Sequence, residues 1–379
     1  MFNTRRGKII SISAISIVFI LLIFTVIIKV NKIDISSMSA KEMVAFEFLK
    51  DRLVKKGSIK NTFEIEHNSY SEFCTYKNYV VSYDKNGIKF LNVKDGSNIW
   101  SQPYTMVNPV AQKGNKCLVI GDMGGKTVIL INDKNVLWNK TFEGKIRNVK
   151  IDKKDNVAVI MEGDGYKSVV QMFDKGGEAI VNIGRKDDLV MDAFLSKDGK
   201  KVILSCAVPS GAIVQAKIEI VNIESGETEI NQEFDKGIFT SMWHTSKDVI
   251  YALTDNLLVC YDGKGEEKYR EEFEIIYSAD IVNGKNLTVA VKEGDTTKIY
   301  TFSEKGRLKD SYNINSEVEK VQAIGDIVAV VCKKDIYFFN DKTYYIREYT
   351  KDEEFRACDF FSERNIMFEF FNRIENVGL

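Results

Sequence analysis

TYKNYVVSYDKNGIKFLNVKDGSNIW, residues 75–100, is the stretch that decides the fold. Its first part, TYKNYVVSY, is a strand, a tight polar turn and a strongly apolar strand. Its second part, IKFLNVKDGSNIW, is an alternating strand, a turn and another strand. Alternation with period two, broken by Gly, Asn and Asp, is the mark of antiparallel hairpins.

Both halves recur along the chain. The first returns as AQKGNKCLVI, IDKKDNVAVI, LSKDGKKVIL, HTSKDVIYAL, IVNGKNLTVAV, AIGDIVAVV and FSERNIMFEF. Aligned on Asn78, Asn115, Asn156, Gly199, Asp248, Asn286, Asp326 and Asn365, the copies are spaced 37, 41, 43, 49, 38, 40 and 39 residues apart. The second returns as VILINDKNVLWNK, VQMFDKGGEAIVN, IEIVNIESGETEI, LVCYDGKGEEKYREEF, IYTFSEKGRLKDSY and IYFFNDKTYYIREY. A four-stranded antiparallel unit of about 40 residues is one β-propeller blade. Helical solenoids and leucine-rich repeats have the wrong unit or the wrong period.

Eight first halves against seven second halves leave the last blade short. RIENVGL supplies a third strand, and TFEIE at Thr62–Glu66, ahead of the first unit, supplies the fourth. The expected fold is therefore all-β, an eight-bladed propeller closed by its N-terminal strand. Seven blades with a C-terminal hairpin is the alternative. Closure removes the exposed sheet edges of an open ring.

LNVKDGSNIW, with Leu91, Gly96 and Trp100, resembles the repeat of pyrroloquinoline-quinone-type propellers, and INDKNVLWNK, with Trp138, is a weaker copy. LSKDGKKVIL, with Ser196, Asp198 and Gly199, is similar to the turn of WD40-like and TolB-like propellers. The layout also resembles an uncharacterised bacterial family of membrane-anchored propellers. These resemblances imply a fold and leave the activity open, because propellers host many unrelated functions.

Residues 9–28, IISISAISIVFILLIFTVII, carry no charge and are long enough to span a bilayer. Arg5, Arg6 and Lys8 precede them, and Lys29 and Lys32 follow. The stronger leading cluster places the N-terminus in the cytoplasm and the rest outside. An uncleaved anchor is expected, with a cleaved signal peptide as the rival. The expected layout is a cytoplasmic basic tip over 1–8, a transmembrane helix over 9–28, a juxtamembrane linker and helix over 29–60, and a propeller over 61–379. Ser39 and Glu42 form a capping-box pattern, followed by Met43, Phe46, Leu49, Leu53 and Val54 at helical spacing.

Of 379 residues, 44% are hydrophobic, 28% are charged and only 3 are Pro, which excludes a disordered chain. The 53 basic residues nearly balance the 54 acidic ones. Without the five that flank the apolar run, the external part is near -6. A nucleic-acid partner is not expected.

Catalytic signals are sparse. The two His residues, His67 and His244, make no triad or zinc set. No spacing singles out a carboxylate pair or a metal site. GDMGGK at 121–126 lies between strands, so it is a hairpin and no phosphate cradle. Cys74, Cys117, Cys206, Cys260, Cys332 and Cys358 are dispersed in apolar strands and read as buried free thiols. No two are adjacent, so the vicinal disulfide of quinone-dependent dehydrogenases has no counterpart, and no cofactor is expected. Trp100 and Trp138 hold equivalent repeat positions and read as packing between blades.

The second-to-third-strand loops carry Asp84, Asp122, Asp164, Asp255, Asp295 and Asp335, a candidate acidic rim at one channel mouth. Asp is also favoured in hairpins for backbone reasons. CAVPSGAIVQ at 206–215 is a longer hairpin tip and a candidate contact. The expected function is a membrane-anchored, extracytoplasmic, non-enzymatic module that binds or scaffolds a protein, peptide or envelope polymer. An extracytoplasmic propeller enzyme, a hydrolase, lyase or quinoprotein-like oxidoreductase, is the alternative.

Overall fold

The computed structural model describes residues 58–65, 71–235, 237–341, 345–351 and 353–378. The strands over these residues form eight sheets of four antiparallel strands each. Seven sheets use consecutive strands. Blade 1, for example, is Glu72–Tyr76, Tyr79–Asp84, Gly87–Asn92 and Asn98–Pro103. The eighth takes Ala357–Ser362, Asn365–Glu369 and Arg373–Gly378 and completes itself with Ser58–Glu64.

The closing strand is the one expected from the sequence, but it starts earlier. Pairing runs from Ser58 with Gly378 to Glu64 with Arg373, broken by an irregularity between Ile59 and Asn61. The propeller thus begins at Ser58 rather than 61. Lys60 shows why the earlier residues join, since its Nζ donates to Asn365 Oδ1 at 2.6 Å, and beside it the Asn376 amide donates to Asn61 Oδ1 at 3.0 Å. The expected span at 9–28 and the helix after Ser39 lie outside the described residues. Among the described residues no helix is long and apolar enough to cross a membrane.

The first strand of each blade is innermost. The inner strands of blades 8 and 1 and of blades 6 and 7 lie side by side. Second strands such as Leu118–Asp122 and Val249–Leu253 are buried along their whole length. Blades press on both of their faces, so these strands read as continuous apolar runs. Outer strands such as Glu267–Glu272 alternate between half-buried and exposed, which fits one covered face.

The core is divided by junction. Each of eight apolar clusters joins two neighbouring blades. Among the described residues the junction of blades 8 and 1 has the thinnest cluster: Phe63, Phe73, Val80, Leu91, Met367 and Ile374. Gly96 sits against it with φ of 72°, and a Cβ there would lie 2.4 Å from the Phe63 ring. Only glycine gives the turn its left-handed backbone and gives the closing strand its space.

The aligned turn residues fall in the first-to-second-strand turns, except Asn286 and Asn365, which open the second strands of their blades. Trp138 packs against Phe173 of the next blade at 6.0 Å, while Trp100 packs on Phe90 of its own blade at 4.8 Å. All six cysteines are unpaired, and every one except half-buried Cys74 is buried.

Phe63→Ala should lower unfolding stability by about 3 kcal/mol, measured by urea denaturation, because it empties the thinnest junction.

Candidate functional site

The ring has two unlike faces. The turn face carries the first-to-second and third-to-fourth turns. The loop face carries the second-to-third hairpins and the connections between blades, and loops on a rigid scaffold are where binding is usually built.

The six expected aspartates all lie on the hairpins of the loop face, with different roles. Asp164, Asp255 and Asp295 are exposed. Asp84 accepts from Asn86 N at 2.7 Å, which shapes its own turn. Asp122 is buried, and its Oδ1 accepts from Val107 N at 2.7 Å and Asn108 N at 3.1 Å. It therefore ties a hairpin to the neighbouring inter-blade loop. Asp335 is half-buried, and its carbonyl accepts from Cys332 N at 2.8 Å. The inter-blade loops add acids that the repeat comparison passed over, since they vary from blade to blade. Glu317 and Glu319 are exposed there, and Glu274 pairs with Lys292 at 2.8 Å.

Apolar side chains stand among these charges. Val107, Tyr166, Ile213, Val214, Ile275 and Phe371 are exposed on the loop face, Phe371 at 73% and Val107 at 60%. Ile213 and Val214 crown the longest hairpin, in blade 4, whose strands Lys201–Ser210 and Ile213–Asn222 pair to their tips.

The base of that hairpin holds a buried ionic cluster. Ligand atoms of Asp188, Cys206 and Glu219 lie within 4.8 Å of one another, a spacing that suits a metal. The chemistry argues otherwise. Lys217 Nζ sits among them, 2.8 Å from Glu219 Oε1 and bonded to Asp188, and Arg185 Nε lies 2.7 Å from Glu219 Oε2. Burial pushes the Cys206 thiol up to about 12, so it is no thiolate ligand at neutral pH. Two cations already balance two carboxylates. The cluster is a strut that holds the hairpin upright.

Three carboxylates on the inner strands link neighbouring blades. Asp192, Asp280 and Asp359 lie on the inner strands of blades 4, 6 and 8. Each accepts from a backbone amide of the next blade's inner strand: Met242 N at 3.3 Å, Ala323 N at 2.8 Å and Thr75 N at 2.7 Å. An inner strand has no neighbour on its channel edge, so such amides need a side-chain acceptor. Asp359 also binds Lys113 Nζ at 2.6 Å and the Gln322 amide, which joins four blades. Burial alone raises the Asp359 pKa, but Lys113, Thr75 and Gln322 more than reverse this and hold it below the usual value. Burial prevails at Asp192 despite Lys150 at 3.2 Å, and at Asp280, so both are raised. The sequence signal for this set was a lone Asp in an apolar first strand, in MDAFL, SADIV and ACDFF, two blades apart each time.

His244 Nε2 lies 2.6 Å from Asp248 Oδ1 and its ring stacks on Phe194, which places it in a turn-face hairpin. His67 lies outside the described residues. An open cleft of about 650 Å³ beside Asp84 offers one carboxylate among Ser82, Tyr83, Asn86, Lys89 and Gln102.

The family model of DUF5711, described as a family of unknown function, matches residues 50–379. The chain belongs to this family. No curated protein matches it. Among solved structures, BamB from Moraxella catarrhalis is similar with a TM-score of 0.54 and 11% identity, over 86% of this chain and 100% of that one. A eukaryotic initiation factor is similar with a TM-score of 0.55 and 11% identity, over 80% and 83%. At such identities the likeness shows a shared propeller fold. For this DUF5711 member, function must be argued from its own surface.

Two outcomes follow from the buried carboxylates. Asp359→Ala should cost about 3 kcal/mol in urea titrations, since it strands the Lys113 ammonium and the Thr75 amide. Glu369, buried at the end of the second strand of blade 8, has its pKa raised to about 7 by burial, opposed by Arg356 and aided by Glu72. Its neutral form favours folding below the unfolded value of 4.5, and that contribution is lost as pH rises through about 7. Glu369→Gln should therefore gain stability relative to the parent chain by about 3 kcal/mol between pH 4.5 and pH 8, read from paired unfolding curves.

Proposed function

We propose that this protein is a non-enzymatic binding module that receives a protein or peptide on the loop face of its propeller. The observation that carries this is the set of exposed apolar side chains on that face, with Ile213 and Val214 raised on the blade 4 hairpin, Tyr166 on the hairpin of blade 3, Val107 on the loop between blades 1 and 2, and Phe371 on the hairpin of blade 8. Large exposed apolar groups rimmed by charge mark contact surfaces. Asp164, Asp255, Asp295, Glu317 and Glu319 add negative charge at the rim and favour a partner with basic groups.

The module is held at a membrane by residues 9–28, with its N-terminus in the cytoplasm and its propeller outside. The charge-free run of twenty residues and the leading Arg5, Arg6 and Lys8 support this reading. An envelope polymer is the other partner class compatible with that address.

A photo-crosslinking residue at Ala212, on the hairpin tip, should give a discrete adduct in cells that express the full chain. Ile213→Asp with Phe371→Asp should cut its yield at least about fivefold, as expected when hot-spot contacts are lost. The same crosslinker at Ser225, on the turn face, serves as the control. Equal adducts from both faces, or none from the loop face, would remove the basis for this function.

A further inference from the structure

Exposed lysines gather on the inner turns of the turn face. Lys77, Lys116, Lys154, Lys197, Lys200 and Lys285 are exposed on the first-to-second turns of blades 1, 2, 3, 4 and 6. Among the described residues none of the six forms an ion pair with a carboxylate. Lys77 donates to Asn132 Oδ1 at 2.9 Å, Lys154 to the Lys197 carbonyl at 2.7 Å and Lys197 to the Ser246 carbonyl at 2.9 Å.

Acids of the same turns are engaged by backbone. Asp152 accepts from Lys154 N at 2.7 Å and Asn156 N at 2.9 Å. Asp155 is buried and accepts from Lys116 N and Cys117 N. Asp198 accepts from Ser196 Oγ at 2.6 Å and Lys200 N at 3.0 Å. Glu178, Glu224 and Glu227 are exposed in third-to-fourth turns, at the perimeter of blades 3 and 4, whereas Asp326 and Glu363 are exposed on the first-to-second turns of blades 7 and 8. The cationic region is therefore an arc over the inner turns of blades 1 to 4 and 6. The chain also enters the ring on this face, because Ser58 pairs with Gly378, which in turn pairs with Asn365 at the first-to-second turn of blade 8.

We infer that this arc of lysines docks on anionic phospholipid headgroups, a reading that rests on the anchor at 9–28. Lysines near an anionic bilayer are attracted within a Debye length, about 8 Å at physiological salt. A rigid ring presents several of them at once, so the contact is salt-sensitive and needs no pocket. It leaves the loop face clear for a partner.

The full chain in nanodiscs tests this, with phosphatidylcholine alone or mixed with phosphatidylglycerol, and lysine acylation read by mass spectrometry. The six turn-face lysines should label at least about threefold more slowly in the phosphatidylglycerol discs, an effect that salt erases. Lys145, Lys333 and Lys334 on the loop face should label equally in both. Lys116→Glu, Lys200→Glu and Lys285→Glu together should abolish the protection of Lys77, Lys154 and Lys197, with an unchanged circular dichroism spectrum. Equal labelling in a chain retained by the discs overturns the docking alone. A chain that stays out of discs of both compositions overturns the anchor and the docking together.

Discussion

The pairing of Ser58–Glu64 with Arg373–Gly378 is the constraint on which the rest of the ring depends. It joins the two ends of the propeller, and without it the last blade would expose a strand edge and every junction would lose its circular restraint. The apolar contact there is the thinnest among the described residues, and polar groups reinforce it. Asn61 Nδ2 donates to the Val93 carbonyl at 2.6 Å, and Thr75 Oγ1 donates to the Phe360 carbonyl at 2.6 Å. The buried Asp359 with Lys113 adds an ion pair that a purely apolar seam would lack. Such pairs stabilise little over an apolar substitute but cost much when half of the pair is lost, which favours one closing register.

The same logic extends around the channel. Inner strands present amides with no strand beside them, and carboxylates from the preceding blade meet some of these at Asp192, Asp280 and Asp359. A buried charge is costly, so these positions need a reason. Here the reason is backbone satisfaction combined with alignment of one blade on the next. On the turn face, further links such as Ser246 N to the Gly284 carbonyl at 2.7 Å and Asn283 N to the Gly325 carbonyl at 2.9 Å continue the ring. The scaffold is rigid because successive blades share both apolar and polar contacts.

That rigidity leaves the two faces free to differ. The loop face mixes apolar tips with acids, and lysines gather on inner turns of the turn face. The ionic cluster of Lys217, Arg185, Asp188 and Glu219 belongs to this division, since it braces a hairpin whose tip is apolar. The features of both faces are spread over several blades.

Repeats alone determined the four-stranded unit and pointed to eight blades with an N-terminal closing strand, because a hairpin pattern with period two is local chemistry, while the pairing of Ser58–Glu64 with Arg373–Gly378 decided eight over seven. The turn residues Asn78, Asn115, Asn156, Gly199, Asp248 and Asp326 were legible for the same reason. The start of the closing strand at Ser58 was not, since SIKN has little apolar alternation and is held by partners such as Asn376, more than 300 residues away. Among the six loop-face aspartates the sequence could not separate exposed Asp164, Asp255 and Asp295 from buried Asp122, because the difference lies in the amides of Val107 and Asn108 on another loop. The channel carboxylates and the exposed apolar tips were decided by tertiary structure as well. Ring closure brings strands from separate repeats edge to edge, and only then does an Asp in an apolar strand meet its amide and an Ile at a hairpin tip find itself in water.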